Sequence, residues 1–484
     1  MNKELRRVSI VVLLMFIALF SSSTIIQVFQ QDNLKADPRN SRTLYASFSA
    51  ERGPILVDGE PIAESVAVDD EYKYQRQYTN GPLYSAVTGY FTLNQGNTGV
   101  EGALNDYLSG TANDQFLDQL NAILTGQNPK GAAVELTIDP VVQQAAWDAL
   151  GDQKGAVIAI DPKTGGILAM VSKPTYDPTS LATHDLTAFK AAYDSLLGDA
   201  DDPLINRTIA GDLNPPGSTF KLVTASTALE NGLTPETEFP NPGTLTLPQS
   251  SAVITNAEGG SCGGGATATI ATALRLSCNI PFAQLGLQLG YPAISEQARE
   301  FGFGDDGIRV PMAVEPSVYP PTVSDAELML SSFGQASDRV TPLQMAMVSA
   351  AIANGGQLMK PTLIESVFAP DLTVLQDFQP EVYSTPISAQ TAATMNAMMV
   401  QGVANGAASN ARINGVDVAG KTGTAENGDG EPFTLWFTGF APANDPQVAV
   451  AVVVENGGGL GQSGFGNRVS APIAKRVIEA VLSR

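Results

Sequence analysis

The chain has 484 residues, of which 43% are hydrophobic, and its formal net charge at pH 7 is −22. This length predicts more than one domain, with enough apolar material to build cores. The acidic balance argues against nucleic acid as a partner, because a phosphate binder normally presents a basic face. One histidine and two cysteines offer too few ligands for a zinc site, so we expect no metal and no cofactor.

The first predicted element is an apolar segment, residues 8–29, that contains no charged side chain. Its 22 residues would span about 33 Å as a helix, enough to cross the hydrocarbon core of a bilayer. Three basic residues precede the segment, and the first charge after it is acidic. The positive-inside bias therefore predicts a cytoplasmic tail over 1–7, a single-pass signal-anchor over 8–29 in the cell membrane, and an extracytoplasmic remainder. A cleaved signal peptide is the alternative.

Residues 30–150 are expected to form a separate N-terminal module, and residues 151–484 a second domain. Helical spacing with a proline near the start predicts a helix over 139–150, at the entrance to the second domain. Two apolar runs between 155 and 172 predict a β-hairpin. Its turn contains a Lys-Thr-Gly sequence that begins at Lys163 and is flanked by Asp-Pro and a glycine, which favours turn chemistry for that lysine.

The tetrad Ser218-Thr-Phe-Lys221 follows a proline- and glycine-rich stretch and opens a predicted helix over 221–230. At a helix start, free backbone N–H groups and the positive end of the dipole favour an oxyanion. Lys221 lies one turn beyond Ser218 on the same face, so its amine can reach the serine hydroxyl. Because His184 is the only histidine, lysine is the expected base for an activated serine. The alternative is an N-cap serine followed by a surface lysine.

A second motif, Ser277-Cys278-Asn279, is the only Ser-x-Asn in the chain and follows a predicted helix over 266–276. On a helix-to-loop turn, a hydroxyl and an amide two residues apart can point into one cleft. A C-terminal asparagine cap with an incidental serine is the alternative. Outside the cytoplasm, Cys278 could pair with Cys262 of a glycine-rich stretch, and we expect this disulfide to contribute about 3 kcal/mol. Two free thiols are the alternative.

The third motif, Lys421-Thr422-Gly423-Thr424, lies in an alternating segment that predicts a strand over 416–426. We interpret Lys421 as the functional copy of Lys-Thr-Gly, because it follows the other two motifs in the chain. An exposed lysine at a strand end is the alternative.

The C-terminal part predicts further strands over 433–441 and 447–455 and a helix over 471–482. Strands at both ends of the second domain, with helices between them, predict a mixed α+β architecture. In this architecture the N- and C-terminal segments of the domain share one sheet.

The three motifs, in this order, are the signature of penicillin-binding proteins and related β-lactamases. The chain resembles a class B penicillin-binding protein, a monofunctional peptidoglycan D,D-transpeptidase, over almost its whole length. Its compact N-terminal module favours a short actinobacterial-type member. Further stretches that match the family are 52–56, 155–170, 206–207 and 436–442.

The resemblance implies a penicillin-binding transpeptidase domain, with an antiparallel sheet sandwiched by helices, carried on an N-terminal pedestal. It implies that Ser218 forms an acyl-enzyme while Lys221 takes the serine proton. Ser277 would relay that proton to the leaving amine, and Asn279 would hold the substrate amide and orient Lys221.

The same resemblance assigns substrate contacts to the third motif. Lys421, Thr422 and Thr424 would bind the terminal carboxylate, with Gly423 between them in the binding strand. The backbone N–H groups of Ser218 and Thr424 would form the oxyanion hole.

The implied substrate is a peptidoglycan stem peptide ending in D-Ala-D-Ala, with the amine of a neighbouring stem as acceptor. Penicillin and other β-lactam antibiotics should acylate the same serine. The motifs leave open a hydrolase, either a D,D-carboxypeptidase or a β-lactamase, and a non-catalytic sensor of β-lactams or wall peptides. They do not distinguish a role in elongation and cell shape from one in cell division.

The resemblance also implies protein partners in cell-wall assembly, foremost a SEDS-type glycan polymerase. The membrane anchor and the region of Arg42 and Arg52 are the expected contacts with it. Two arginines with purely structural roles are the alternative.

Overall fold

The computed structural model describes residues 3–26, 48, 50–93, 95–115, 124, 130–211, 213–256, 259–322 and 324–484. The α-helices in these ranges are α1 (Lys3–Thr24), α2 (Gly81–Thr88), α3 (Gly99–Ala103), α4 (Asn105–Leu108), α5 (Pro140–Leu150), α6 (Leu186–Leu197), α7 (Lys221–Glu230), α8 (Ile270–Leu276), α9 (Asn279–Leu289), α10 (Tyr291–Glu300), α11 (Asp325–Ser331), α12 (Pro342–Ala353), α13 (Ala389–Asn405) and α14 (Ser470–Leu482). The strands are β1 (Ile55–Val57), β2 (Glu60–Ala67), β3 (Tyr74–Tyr78), β4 (Ala133–Leu136), β5 (Gly155–Ile160), β6 (Ile167–Lys173), β7 (Glu238–Pro240), β8 (Thr244–Thr246), β9 (Val253–Thr255), β10 (Thr267–Thr269), β11 (Leu358–Met359), β12 (Ile364–Phe368), β13 (Val374–Asp377), β14 (Val382–Ser384), β15 (Ala419–Ala425), β16 (Thr434–Ala441) and β17 (Val448–Val454).

The N-terminal helix α1 carries an apolar stretch, Leu5–Thr24, that is long enough to cross a membrane. None of this stretch is buried within the protein. The apolar face is therefore available to lipid, as the prediction of an anchor requires. The predicted end of the anchor, at Phe29, and the predicted contact Arg42 lie outside the described residues.

The N-terminal module is built on a mixed sheet with the strand order β13-β12-β4-β1-β2-β3 in the described ranges. Strands β1 and β4 pair in parallel, whereas the other neighbouring pairs are antiparallel. Strands β12 and β13 lie more than two hundred residues beyond β4 in the chain. The sheet thus joins the N-terminal module to a hairpin of the second predicted domain.

Arg52 lies inside this module and not on its surface. Its side chain is 3% exposed, and its Nε donates to Oε2 of Glu101 at 2.6 Å. Arg76 donates to the other oxygen of the same carboxylate at 2.6 Å. Removing one partner of such a buried ion pair is costly, because an uncompensated charge remains. The role of the Arg52 side chain is therefore structural, as the alternative held, whereas the contact of the surrounding region with a partner stays a prediction.

The second domain is built on an antiparallel sheet whose order, among the described strands, is β15-β16-β17-β5-β6. Helices α5 and α14 cover one face, and α12 covers the other with α13 beside it. Alternate residues of β17 enter the two cores, as the two-residue period of a strand requires. The core under α12 takes Ala449, Ala451 and Val453, and the core under α14 takes Val448, Val450, Val452 and Val454.

This arrangement confirms the predicted fold: an antiparallel sheet between helical layers, shared by the two ends of the domain. The predicted hairpin, the three C-terminal strands and the closing helix are all present, with bounds that differ by up to three residues. The helix predicted over 266–276 is wrong at its start. Residues 267–269 form β10, which pairs with β7, and the helix begins only at Ile270. A tertiary pairing overrides the local helical pattern there.

Candidate active site

Ser218 lies in a 3₁₀ turn, residues 217–219, that leads directly into α7. The turn is fixed from two sides: the Gly217 N–H donates to the carbonyl of Gly334 at 2.9 Å, and the indole of Trp436 donates to the carbonyl of Pro215 at 2.9 Å. Gly217 has a φ of 52°, a conformation that favours glycine. The Ser218 N–H has no partner within the described part of the chain, so it is available as a donor.

Lys221 is fully buried beneath this serine, with 0% of its side chain exposed. Its Nζ lies 3.0 Å from Oγ of Ser218, 2.8 Å from the carbonyl oxygen of Ser277 and 2.9 Å from Oδ1 of Asn279. The carbonyl and the amide oxygen can only accept hydrogen bonds, so they take two N–H bonds of the amine. In the neutral amine, this leaves the lone pair directed at the serine hydroxyl.

The two motif lysines have strongly perturbed pKa values. Burial lowers the pKa of Lys221 well below its ordinary value, and the positive charge of Lys421 lowers it further. Burial lowers the pKa of Lys421 to about 7. Both effects favour the neutral form of Lys221, which is the form that can accept a proton.

Ser277 occupies the junction between α8 and α9. It adopts a left-handed conformation, with a φ of 62°, and its N–H closes the end of α8. This turn points the Ser277 carbonyl at Lys221, while its Oγ accepts a hydrogen bond from Nζ of Lys421 at 2.7 Å. Asn279 then opens a new helix, so the predicted helix-to-loop turn is a tight turn between two helices.

The disulfide predicted between Cys262 and Cys278 is present in the structure. Cys278 is fully buried between the two motif residues Ser277 and Asn279. The bridge therefore ties the glycine-rich stretch 259–265 to the wall of the site.

Strand β15 carries the third motif along the edge of the sheet. Lys421 is 2% exposed and also donates to the carbonyl of Thr422 at 2.7 Å. The Thr422 hydroxyl donates to the carbonyl of Ala407 at 3.0 Å, so a carboxylate ligand would compete with Ala407 for that proton. The hydroxyl of Thr424 accepts the N–H of Gly466 at 3.2 Å and keeps its own proton for a ligand.

Gly423 is required where β15 passes over the serine turn. A Cβ at this position would lie 2.9 Å from the carbonyl oxygen of Pro216 and 3.0 Å from Cβ of Trp436. Any side chain would therefore push the strand away from Ser218.

The lysine of the first Lys-Thr-Gly copy lies elsewhere. Lys163 is 53% exposed at the turn between β5 and β6, where it pairs with Asp445. The prediction of turn chemistry for this copy is confirmed.

The only histidine belongs to a different part of the molecule. His184 Nδ1 lies 2.6 Å from Oδ2 of Asp70, and its ring packs on Tyr72 and Phe48. These partners come from the N-terminal module, and none of them is a motif residue.

Some residues of the site carried no signal in the sequence. The carbonyl of Thr255 and the side chain of Asn256 both bind Asn279. The rings of Phe282 and Phe333 lie 5.5 and 5.7 Å from the amine of Lys221. Apolar rings on this side of the lysine exclude water and contribute to the burial that lowers its pKa.

Comparison with known proteins gives two family matches along the chain. The penicillin binding protein transpeptidase domain matches residues 155–479, and the penicillin binding protein A dimerisation domain matches residues 52–134.

Similar proteins match over the full chain. The peptidoglycan D,D-transpeptidase PbpA of Mycolicibacterium smegmatis is 42% identical, over 100% of this chain and 99% of its own. PbpA of Mycobacterium tuberculosis is 40% identical with the same coverage. Penicillin-binding protein A from M. tuberculosis, solved as a ceftriaxone acyl-enzyme complex, has a TM-score of 0.87 at 38% identity, over 90% of this chain and 100% of that one. The chain therefore belongs to the penicillin-binding protein transpeptidase family, which confirms its resemblance to a class B penicillin-binding protein.

Proposed function

We propose that the protein is a peptidoglycan D,D-transpeptidase that cross-links stem peptides through an acyl-enzyme on Ser218. The observation that carries this proposal is the fully buried Lys221 amine, 3.0 Å from Oγ of Ser218. A buried lysine with a lowered pKa activates a neighbouring hydroxyl without a histidine. The PbpA relatives are named D,D-transpeptidases, which supports the same reaction here.

In the first step, Oγ of Ser218 attacks the carbonyl carbon of the penultimate D-Ala. The serine proton moves to Nζ of Lys221 as the C–O bond forms. The carbonyl oxygen becomes an oxyanion that receives hydrogen bonds from the N–H groups of Ser218 and Thr424. One such donor is worth about 3–4 kcal/mol in related acyl-transfer sites.

In the second step, the bond between the carbonyl carbon and the terminal D-Ala nitrogen breaks. The proton held by Lys221 passes through Oγ of Ser277 to the leaving amine, so Lys221 becomes neutral again. Oγ of Ser277 is also hydrogen-bonded to Nζ of Lys421 at 2.7 Å. The carboxylate of the leaving D-Ala faces Lys421 and Thr424, and its charge favours the ammonium form of Lys421. Asn279 holds the substrate amide while its Oδ1 fixes Lys221.

In the third step, the amine of a neighbouring stem peptide attacks the ester. Its proton passes to Lys221 and from there to Oγ of Ser218 as that oxygen leaves, and the new amide is the cross-link. β-Lactams acylate the same serine, which the acyl-enzyme complex of the M. tuberculosis relative with ceftriaxone supports.

The nearest alternative is a hydrolase that gives the acyl group to water. The full-length chain in detergent is loaded with fluorescent penicillin and followed over hours. A long-lived adduct argues against a β-lactamase, whereas rapid loss of label contradicts the transpeptidase. With a D-Ala-D-Ala stem peptide and a labelled amine acceptor, amide product in excess of the hydrolysed acid separates a transpeptidase from a carboxypeptidase.

The predicted domain division is also part of this proposal. Residues 1–7 form a cytoplasmic tail, 8–29 an anchor, 30–150 the pedestal and 151–484 the transpeptidase domain. The exposed apolar helix α1 supports the anchor. Protease protection in spheroplasts, with an epitope at each end of the chain, tests the orientation.

A SEDS-type glycan polymerase is the proposed partner, with the anchor and the pedestal surface as its contacts. Because Arg52 is buried, the contact is built from other surface groups. Co-purification from membranes tests this pairing. Co-purification that is unaffected by exchange of both the anchor and the pedestal would refute their role as the contacts.

A further inference from the structure

Two consecutive residues hold Asn279 from outside the three motifs. The carbonyl of Thr255 accepts Nδ2 of Asn279 at 3.0 Å. Oδ1 of Asn256 accepts the backbone N–H groups of Asn279 and Ile280, at 2.9 and 3.1 Å. These are the first N–H groups of α9, whose own N-cap, Cys278, provides no side-chain acceptor. Asn256 therefore supplies the missing cap from a remote segment.

The orientation of the Asn279 amide decides what Lys221 contacts. Because Nδ2 is engaged by Thr255, Oδ1 must point the other way, to Nζ of Lys221 at 2.9 Å. A flipped amide would place an N–H group against the amine, and that group would draw the lone pair of the neutral amine away from Ser218. The lone pair of Lys221 stays directed at Ser218 only while Asn279 presents its oxygen.

Asn256 is itself rigidly held, with 3% of its side chain exposed. Its Nδ2 donates to the carbonyl of Gly260 at 3.1 Å and lies 3.4 Å from Oδ1 of Asn241. Asn241 in turn binds the backbone of Cys262 at both its N–H and its carbonyl. The chain of contacts therefore runs from the disulfide-linked loop through Asn256 to the helix that carries Asn279.

We infer that Asn256 is a positioning residue of the proposed acyl transfer, which fixes Asn279 so that Lys221 offers its lone pair to Ser218. The inference rests on the proposed function and extends it to a residue outside the three motifs. Asn256 has no hydrogen bond to Ser218 or Lys221 in the described part of the chain, so it acts on the base through the start of α9, which carries Asn279.

The test measures acylation of the full-length chain in detergent by a chromogenic β-lactam, under single-turnover conditions and across pH. Asn256→Ala removes the acceptor for the N–H groups of Asn279 and Ile280. It should lower the limiting first-order rate of acylation by about tenfold to a hundredfold at every pH, as expected for a misplaced catalytic group. The half-saturating concentration should change much less, because no ligand contact is lost. Asn396→Ala is the matched control, since it removes a side-chain bond to the carbonyl of Ala443, away from the motifs.

Asn256→Asp provides a second variant whose effect differs in kind. Its carboxylate keeps an acceptor for both N–H groups but loses the Nδ2 donor to the carbonyl of Gly260, so the limiting rate at alkaline pH should lie between those of Asn256→Ala and the wild type. Its negative charge favours the ammonium form of Lys221, which Lys421 opposes, so the rise of the rate with pH should move to higher pH. If Asn256→Ala does not fold, the pH at which the acylation rate of Asn256→Asp rises is by itself the test of the inference.

Wild-type limiting rates in Asn256→Ala, or a loss confined to the half-saturating concentration, would overturn the inference. An unmoved pH profile in Asn256→Asp would overturn it as well. In each of these cases the wild type is still acylated on Ser218. Failure of the proposed function differs, because the wild type itself would then take no label on Ser218.

Discussion

Replacing Lys421 with methionine should stabilise the protein at neutral and acidic pH while it impairs the site. The side chain is 2% exposed, so folding removes its ammonium group from water. Methionine fills a similar volume and carries no charge. The substitution therefore separates the energetic cost of the buried charge from the packing of the strand.

The size of this stabilisation follows from the lowered pKa of Lys421. Burial lowers the pKa of Lys421 from 10.5 to about 7, which corresponds to about 5 kcal/mol against the charged form in the folded state. Methionine avoids this cost but loses the hydrogen bonds to Ser277 and to the carbonyl of Thr422, worth about 1 kcal/mol each. The net gain in the free energy of unfolding is about 3 kcal/mol below pH 7.

The difference in the free energy of unfolding between Lys421→Met and the wild type should change sign with pH. Because the folded pKa of Lys421 lies below the unfolded one, the unfolded chain binds more protons between pH 7 and 10.5. Stability of the wild type therefore rises with pH through this window, and the advantage of methionine shrinks. By this reasoning the two proteins are equally stable near about pH 9, and above it the wild type is the more stable.

Urea denaturation of the full-length chain, followed by tryptophan fluorescence, measures this difference at several pH values. The fully buried Trp436 lies on β16 directly opposite Gly423 of β15, so it reports on the strand that carries the third motif. Lys163→Met is the matched control, since it alters the exposed copy of Lys-Thr-Gly and should show no pH-dependent change. A Lys421→Met protein that is less stable than the wild type at pH 6, or a gap that is constant with pH, would refute the reasoning.

Three further predictions concern the walls of the site. Lys221→Ala should abolish acylation by β-lactams with little loss of secondary structure. In the wild type, the rate of acylation should rise with pH well below the ordinary pKa of lysine, because burial lowers the pKa of Lys221. Labelling with penicillin across pH measures both. Replacing Cys262 and Cys278 with alanine should lower the free energy of unfolding by about 3 kcal/mol, because the bridge closes a loop with a sequence separation of 16; urea titration decides, and an unchanged midpoint contradicts it. Gly423→Ala should slow acylation by about tenfold or more, since its Cβ meets the carbonyl of Pro216; a wild-type rate would show that β15 can shift without cost.

The catalytic residues could be predicted from the sequence because the spacing within each motif determines where its side chains lie. Ser218 and Lys221 lie three residues apart at a helix start, a spacing that brings their side chains together. Lys421 lies on an alternating strand that ends at the same cleft. The predicted meeting of these residues with Ser277 and Asn279 agrees with the hydrogen bonds that join them.

The parts that sequence reasoning missed depend on contacts between distant segments. Asn256 holds Asn279 across 23 residues, and no local pattern marks it as different from any other loop asparagine. The burial of Arg52 depends on Glu101, 49 residues away. Strand β10 exists because β7 offers it a partner, although its own sequence favours a helix. Such features follow from tertiary packing and not from spacing.

The most direct measurement of the central claim is peptide mapping of the β-lactam adduct by mass spectrometry. The full-length protein is labelled with penicillin and digested, and the modified residue is identified; Ser218→Ala and Ser218→Cys are treated in parallel. We expect a single adduct on Ser218 in the wild type and none in Ser218→Ala. We also expect that labelling is lost in Lys221→Ala. An adduct on another residue, or undiminished labelling of Ser218→Ala, would contradict it.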